Sequence, residues 1–258
     1  MASRPIEIGF IDLSNDKRPK NGVEYNVVSA ASDILADLPY PDTDVKKINI
    51  DLYKFYTDEL PDFTSNNEGL LKIQVDTRNP QDLDGSVNDA TFASEFSAKE
   101  HEYAPSFLFR GVFRNVLLRE YINLRFDLYE LDTDSDEYYS KIKSVLDGVP
   151  EVKNLDVLKG IPYLNLATNL FEGVIKTFGK NPDDHIWGEV PLLELEPMPG
   201  SAFLRTGIYV LFEIENSDNK SIKLDELKYK NGTIHVSGGK KLSNHLIFGL
   251  GIKAHKPI

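Results

Sequence analysis

Alternation of apolar and polar positions is the first order visible in the chain. Over residues 46–56, KKINIDLYKFY, Ile48, Ile50 and Leu52 share one side of an extended chain, which is the period-2 pattern of a half-buried strand. The phase slips at the end, where Lys54 takes the apolar side's turn and Phe55 falls on the other. Residues 121–130 repeat the pattern, with Leu124, Phe126 and Leu128 opposed to Arg125, Asp127 and Tyr129. Apolar runs at 70–75, 107–116, 186–195, 203–215 and 246–252 predict further strands. A run through Ile6, Ile8, Phe10 and Ile11 predicts an edge strand. Residues 227–229 and 233–236 flank Asn231-Gly232, the strongest short hairpin signal a sequence carries.

Two stretches read with helical spacing instead. Residues 27–38 place Val28, Ala31, Ile34, Leu35 and Leu38 on one face, and Pro39 and Pro41 end the run. Between 140 and 180, KIKSVLDGV, EVKNLDVLKG and YLNLATNLFEGVIKTFG all read as helices. The last carries a stripe of Tyr163, Ala167, Leu170, Phe171, Val174 and Phe178, closed by Gly179. Its polar face has too few bases for a helix lying on a membrane, so the stripe is expected to pack on the body of the domain. Residues 58–69 and 79–102 read as polar loops, the second long enough to suggest function or mobility. The sum predicts a mainly-β fold: one β-sandwich domain over 1–258, of roughly eight or nine strands, with a helical insertion at about 140–180.

Composition narrows the partners. The 258 residues are 41% hydrophobic and 27% charged, with a formal net charge of -12 and a pI near 4.9. Such a field repels polyanions, so no nucleic-acid partner is expected, and an anionic membrane only with the help of a cation. There are no cysteines, which removes disulfides, thiolate metal sites and thiol catalysis. No signal peptide or transmembrane run is apparent, and a cytoplasmic location, or export by a route that needs no cleaved signal, is expected. The sequons at Asn219 and Asn231 then carry no meaning.

Candidate chemistry concentrates after the 121–130 strand. Asp132, Asp134 and Asp136 follow it, flanked by Glu130 and Glu137. Carboxylates crowded on a loop repel one another unless solvent, a cation or a basic partner relieves them. Calcium, with six to eight oxygen ligands, suits such a loop. An EF-hand does not fit, because Glu137 stands where glycine is needed and Lys143 where the bidentate glutamate is needed. The plain alternative is a solvated acidic turn, with Asp136 capping a helix that starts near Glu137.

The segment LRFDLYELDTDSDEYYSKI resembles the strand and third loop of C2 domains. In that family an alternating strand ends in two acids one residue apart, and a later acid precedes an aromatic. Here the pair is Glu130 and Asp132, and the later acid is Asp136 or Glu137, before Tyr138 and Tyr139. SFLFRGVFRNVLLREY resembles the preceding hairpin, DDHIWGEVPLLEL the return strand and TGIYVLFEIE the strand after it. Asp58 to Asp62 resembles the opposing acidic loop, more tightly spaced. The likeness covers roughly the central two-thirds of the chain. It implies a metal set of Glu130, Asp132, Asp136, Asp58 and Asp62. It also implies calcium-assisted docking on anionic lipid, or protein contact without calcium; Glu130 in place of aspartate favours the version without metal.

Other motifs are weaker. Residues 237–241, SGGKK, lack the first glycine and the final hydroxyl of a phosphate loop. The five histidines show no metal spacing, although His235 and His245 can meet if their strands are adjacent. No nucleophile elbow occurs. Tyr25, Tyr40, Tyr53, Tyr56, Tyr103, Tyr138, Tyr139 and Tyr163 fall at loop or strand-end positions, where tyrosine suits an interface. The leading expectation is a non-enzymatic interaction module that docks to a membrane surface or protein assembly through acidic loop tips. The second is a structural subunit of an oligomeric bacterial or viral-type assembly, and the third a carboxylate-site hydrolase.

Overall fold

Strand formation follows the alternation closely. The computed structural model describes residues 5–14, 16–38, 46–58, 67–78, 87–105, 107–118, 121–130, 164–166, 185–189, 191–218, 220–236, 238 and 240–254. Its strands are β1 (Ile6–Asp12), β2 (Glu24–Ser29), β3 (Lys46–Thr57), β4 (Asn67–Arg78), β5 (Val87–Ala98), β6 (Glu102–Tyr103), β7 (Phe109–Leu118) and β8 (Tyr121–Glu130). They continue with β9 (Leu164–Leu166), β10 (His185–Glu189), β11 (Leu192–Glu194), β12 (Ala202–Phe203), β13 (Gly207–Glu213), β14 (Leu227–Lys230), β15 (Thr233–Val236) and β16 (His245–Ala254).

Two sheets result. The first runs β15-β14-β2-β1-β13-β16-β3-β6, with β7 also on β3. Because β6 pairs with Tyr56 and Thr57 and β7 with Lys46 to Leu52, the two are pieces of one interrupted strand along the same side of β3. The second runs β12-β11-β8-β4-β5-β9, with β10 also on β8. Among the described residues every pairing is antiparallel except β11 with β12. Leu71, Ile73 and Val75 of β4 and Leu124, Phe126 and Leu128 of β8 face Ile48, Ile50, Leu52 and Phe55 of β3 in one buried core between the sheets. Trp187 and Phe248 are fully buried there.

The first sheet is apolar on its other face as well. Ile11, Tyr25, Val27, Val210, Phe212, Tyr229, Ile234 and Ile247 make a second cluster, drawn almost wholly from this sheet's own strands. A sheet can bury that face on itself only by curling. Tyr103 on β6, at one edge, meets Ile234 on β15, at the other: the Ile234 amide donates to the Tyr103 hydroxyl at 2.7 Å. The sheet therefore wraps until β6 and β15 touch, while β7 remains at its edge.

Several sequence expectations are corrected. The helical insertion at 140–180 is not supported: Leu164–Leu166, placed inside the third predicted helix, form β9 against Thr91, Phe92 and Ala93 of β5. Leu-Asn-Leu fits a period of two as readily as the helical stripe did, and the edge of β5 supplies the backbone partners that settle it. The rest of 140–180 lies outside the described residues. Among the described residues there is no α-helix, and helical geometry takes the form of short 3₁₀ turns such as Asp33–Leu35 and Leu224–Glu226.

The helix expected over 27–38 is the end of β2 followed by the first of those turns, capped by the Ser32 side chain. β1 is not an edge strand but lies between β2 and β13. The expected loop at 79–102 contains the twelve-residue β5. Tyr25 and Tyr56 are buried rather than displayed.

Candidate functional site

Strand directions bring five chain connections to one end of the body. β3 leaves there at Thr57 and β4 starts there at Asn67, opposite the last residue of β5, Ala98. β8 ends there at Glu130, opposite Gly69. The chain that leaves after Glu130 returns at His185, which pairs with Tyr129. The connections after β13 and after β15 arrive at the same place, as their contacts with Asp58 and its neighbours show.

Asp58 is the pivot of this end. It is wholly buried. Its carboxylate accepts the Ser217 amide at 2.6 Å, the Ser217 hydroxyl at 3.1 Å and the His101 Nδ1–H at 3.1 Å. Its own amide donates to Asn244 Oδ1 at 2.7 Å. Asn244 Nδ2 in turn donates to Glu213 Oε1 at 3.0 Å, and the same oxygen accepts Trp187 Nε1–H at 2.6 Å. A buried polar chain thus runs from the loop bases into the space between the sheets. Around it, Phe55 packs on Phe96 and Trp187 with ring centroids 4.7 and 5.4 Å apart.

Neighbouring turns are fixed in the same way. Asn216 Oδ1 accepts the amides of Asp218 and Lys220, and its Nδ2 donates to the Lys241 carbonyl. Lys241 Nζ bonds Asp218 at 3.0 Å, which holds that carboxyl below its usual range.

The chemistry available here is limited by where the protons go. Ser217 gives its hydroxyl proton to Asp58 rather than to an imidazole, and His101 gives its Nδ1 proton to the same oxygen. Both are donors to one acceptor, so the set does not activate a serine nucleophile, which needs its base on the hydroxyl. As a metal ligand Asp58 is already engaged by these three donors.

The other expected ligands are placed less fully. Glu130 closes β8 at the same end as Asp58. Asp132, Asp136 and Asp62 lie outside the described residues. Among the described residues no three His, Asp or Glu side chains gather closely enough to hold a metal ion, and no helix is long and apolar enough to cross a membrane.

Sequence reasoning missed His101, Ser217, Asn244 and Glu213. The partners of Asp58 stand 43, 159 and 186 residues away, and no local pattern signals such a meeting. His235 and His245 do not meet: His235 bonds Thr233 and His245 bonds Tyr103.

No protein-family model, curated protein or solved structure matches this chain. The C2 resemblance therefore reaches a mainly-β fold of two packed sheets and no further.

Proposed function

We propose that this protein is a non-catalytic docking module, used as C2 domains are, that grips a protein assembly by the end of the body where Asp58 sits. One observation carries this reading. The end that bears five chain connections is braced from beneath by the buried chain Asp58–Asn244–Glu213–Trp187. Buried polar chains are costly unless every member is satisfied, and a rigid base under variable loops is the arrangement by which β-scaffolds present binding surfaces. The net charge of -12 favours a basic protein surface over bare anionic lipid. A calcium-assisted version draws on Glu130, Asp132, Asp136 and Asp62, without Asp58.

Photo-crosslinkers at His101, at the loop-bearing end, and at Met198, beyond β11 at the far end of β8, test the reading. In cells that make the protein, discrete adducts are expected from His101 and none from Met198. Adducts from Met198 alone would overturn it. A melting curve with calcium and with EGTA decides the metal version: at a hundredfold excess over Kd, ligand linkage stabilises by about 2.7 kcal/mol, and an unmoved midpoint removes calcium.

A further inference from the structure

The curled sheet is closed by a hydrogen-bonded pair of side chains, Tyr103 and His245. His245 opens β16 and is buried inside the curl, on the side of Ile247. Its Nδ1 lies 2.8 Å from the Ser243 carbonyl, which can only accept, so Nδ1 carries the hydrogen. Nε2 is then an acceptor, and the Tyr103 hydroxyl donates to it at 2.9 Å. The same hydroxyl oxygen receives the Ile234 amide at 2.7 Å. Tyr103 thus joins β6, β16 and β15 at the seam where the sheet's two edges meet.

We propose that the Tyr103–His245 pair is an acid-released latch: proton uptake at His245 Nε2 opens the seam between β6 and β15 while the two-sheet body stays folded. The solvent proton adds to the Nε2 lone pair, which then no longer accepts. The Tyr103 hydroxyl hydrogen must turn to the Ile234 carbonyl, a longer contact at 3.4 Å. The new cation sits in an apolar enclosure, where an uncompensated charge is expensive.

Nε2–H can then donate to the Tyr103 hydroxyl oxygen, but among the described residues no carboxylate faces the new charge. Tyr56 of β3 stacks on the ring at 4.9 Å and Tyr103 of β6 meets it edge-on at 5.5 Å. Lys54 of β3 lies 5.1 Å over the Tyr103 ring and is itself a cation. Glu213 of β13 is turned to the other face and bonded to Trp187, and Asp58 of β3 is held by Ser217 and His101. Glu102 of β6 and His235 of β15 are exposed. Burial accordingly depresses the His245 pKa to about 4, which places release in acid surroundings near that pH. Opening uncovers the apolar inner face, including Tyr25, Val27, Tyr229 and Ile234.

Amide exchange followed by NMR at pH 7, 5 and 4, corrected for intrinsic rates, tests the latch. In the wild type, protection of the Ile234 amide is expected to fall at least tenfold by pH 4 while amides of β4 and β8 keep theirs. His245→Gln offers an acceptor oxygen that takes no proton, and is expected to keep Ile234 protected at pH 4. Tyr103→Phe is expected to lose that protection already at pH 7. The latch is overturned if Ile234 protection does not change with pH, if it falls equally in His245→Gln, or if β4 and β8 open with it. Should neither variant fold, the imidazole nitrogen titration of the wild type decides. Protonation of Nε2 that tracks the loss at Ile234 supports the latch, and protonation that leaves Ile234 protected overturns it.

Discussion

Trp187 on one sheet gives its indole hydrogen to Glu213 on the other, at 2.6 Å and out of contact with water. This bond crosses the core and ends the polar chain that begins at Asp58. Trp187→Phe keeps an aromatic ring there but removes a donor from a buried acceptor. Leaving such a group short costs about 1–3 kcal/mol, and the smaller ring adds a packing loss. A destabilisation of about 2–4 kcal/mol is expected in urea unfolding followed by far-UV circular dichroism. A double-mutant cycle with Glu213→Gln separates the pair: coupling of about 0.5–3 kcal/mol is expected, and a cycle that closes at zero would assign the loss to packing alone.

Thr57 shows the opposite case. Its hydroxyl is buried and, among the described residues, has no hydrogen-bond partner. Valine has nearly the same shape and nothing to desolvate. Thr57→Val is therefore expected to raise stability by about 1 kcal/mol. A lower melting midpoint would mean that the hydroxyl has a partner, such as a bound water, that the variant loses.

Much of the sheet framework was legible, because half-buried strands write their faces into the sequence. β3 and β8 alternate cleanly, and Asn231 and Gly232 take positive φ of 52° and 84° in the turn their types predict. β5 was illegible for a physical reason: its core face mixes Phe92 and Phe96 with Ser94 and Ala98, so no apolar alternation rises above the polar background. The 27–38 stripe misled, as did the helical spacing around 164–166, because apolar spacing alone does not say whether a neighbouring strand offers backbone partners. Of the site, the acidic character near Asp58 was readable, but its role was not. Its donors come from loops brought together by the fold, and they convert an expected ligand into a brace.

Acid should weaken the fold through His245 in a defined window. Above pH 6.5 the ring is neutral both folded and unfolded, and it contributes no pH dependence. Below 6.5 the unfolded chain binds a proton that the folded chain refuses until about pH 4. Stability therefore falls with acid between those values, by up to about 1.4 kcal/mol per pH unit and about 3 kcal/mol in all, and this contribution levels off below pH 4. Carboxylates such as Asp16 and Glu226, held low by Lys20 and Lys240, add their own losses further down. The difference between wild type and His245→Gln isolates the histidine, and parallel curves would refute its share.

Gly69 lies directly opposite Phe96. A Cβ there would sit 2.6 Å from the Phe96 ring, and that ring is held by Phe55 at 4.7 Å and Phe107 at 5.4 Å. The ring fills the space that glycine leaves, an aromatic rescue of a strand glycine. Gly69→Ala is expected to cost about 1–3 kcal/mol by overpacking, although alanine ordinarily favours a strand over glycine. An unchanged denaturation midpoint would show that the aromatic cluster can shift.

The β7 edge bears on whether copies of the chain add to one another by strand pairing. Against β3, Ile48 faces Val116, Ile50 faces Phe113 and Leu52 faces Phe109, so β7 carries extra residues at two bulges. Gly111 and Asn115 adopt positive φ there, and their amides are capped by Asp51 at 2.6 Å and Asn49 at 2.9 Å. Asp51 also holds Arg114 at 2.8 Å. Bulges capped in this way twist an edge out of register for another chain, which disfavours assembly through this strand. Asp51→Ala removes one cap and frees the arginine. It is expected to cost about 1 kcal/mol and to raise self-association, read as a concentration-dependent mass in light scattering. A variant that stays at the wild-type mass at high concentration would show that the bulge backbone blocks the edge without its cap.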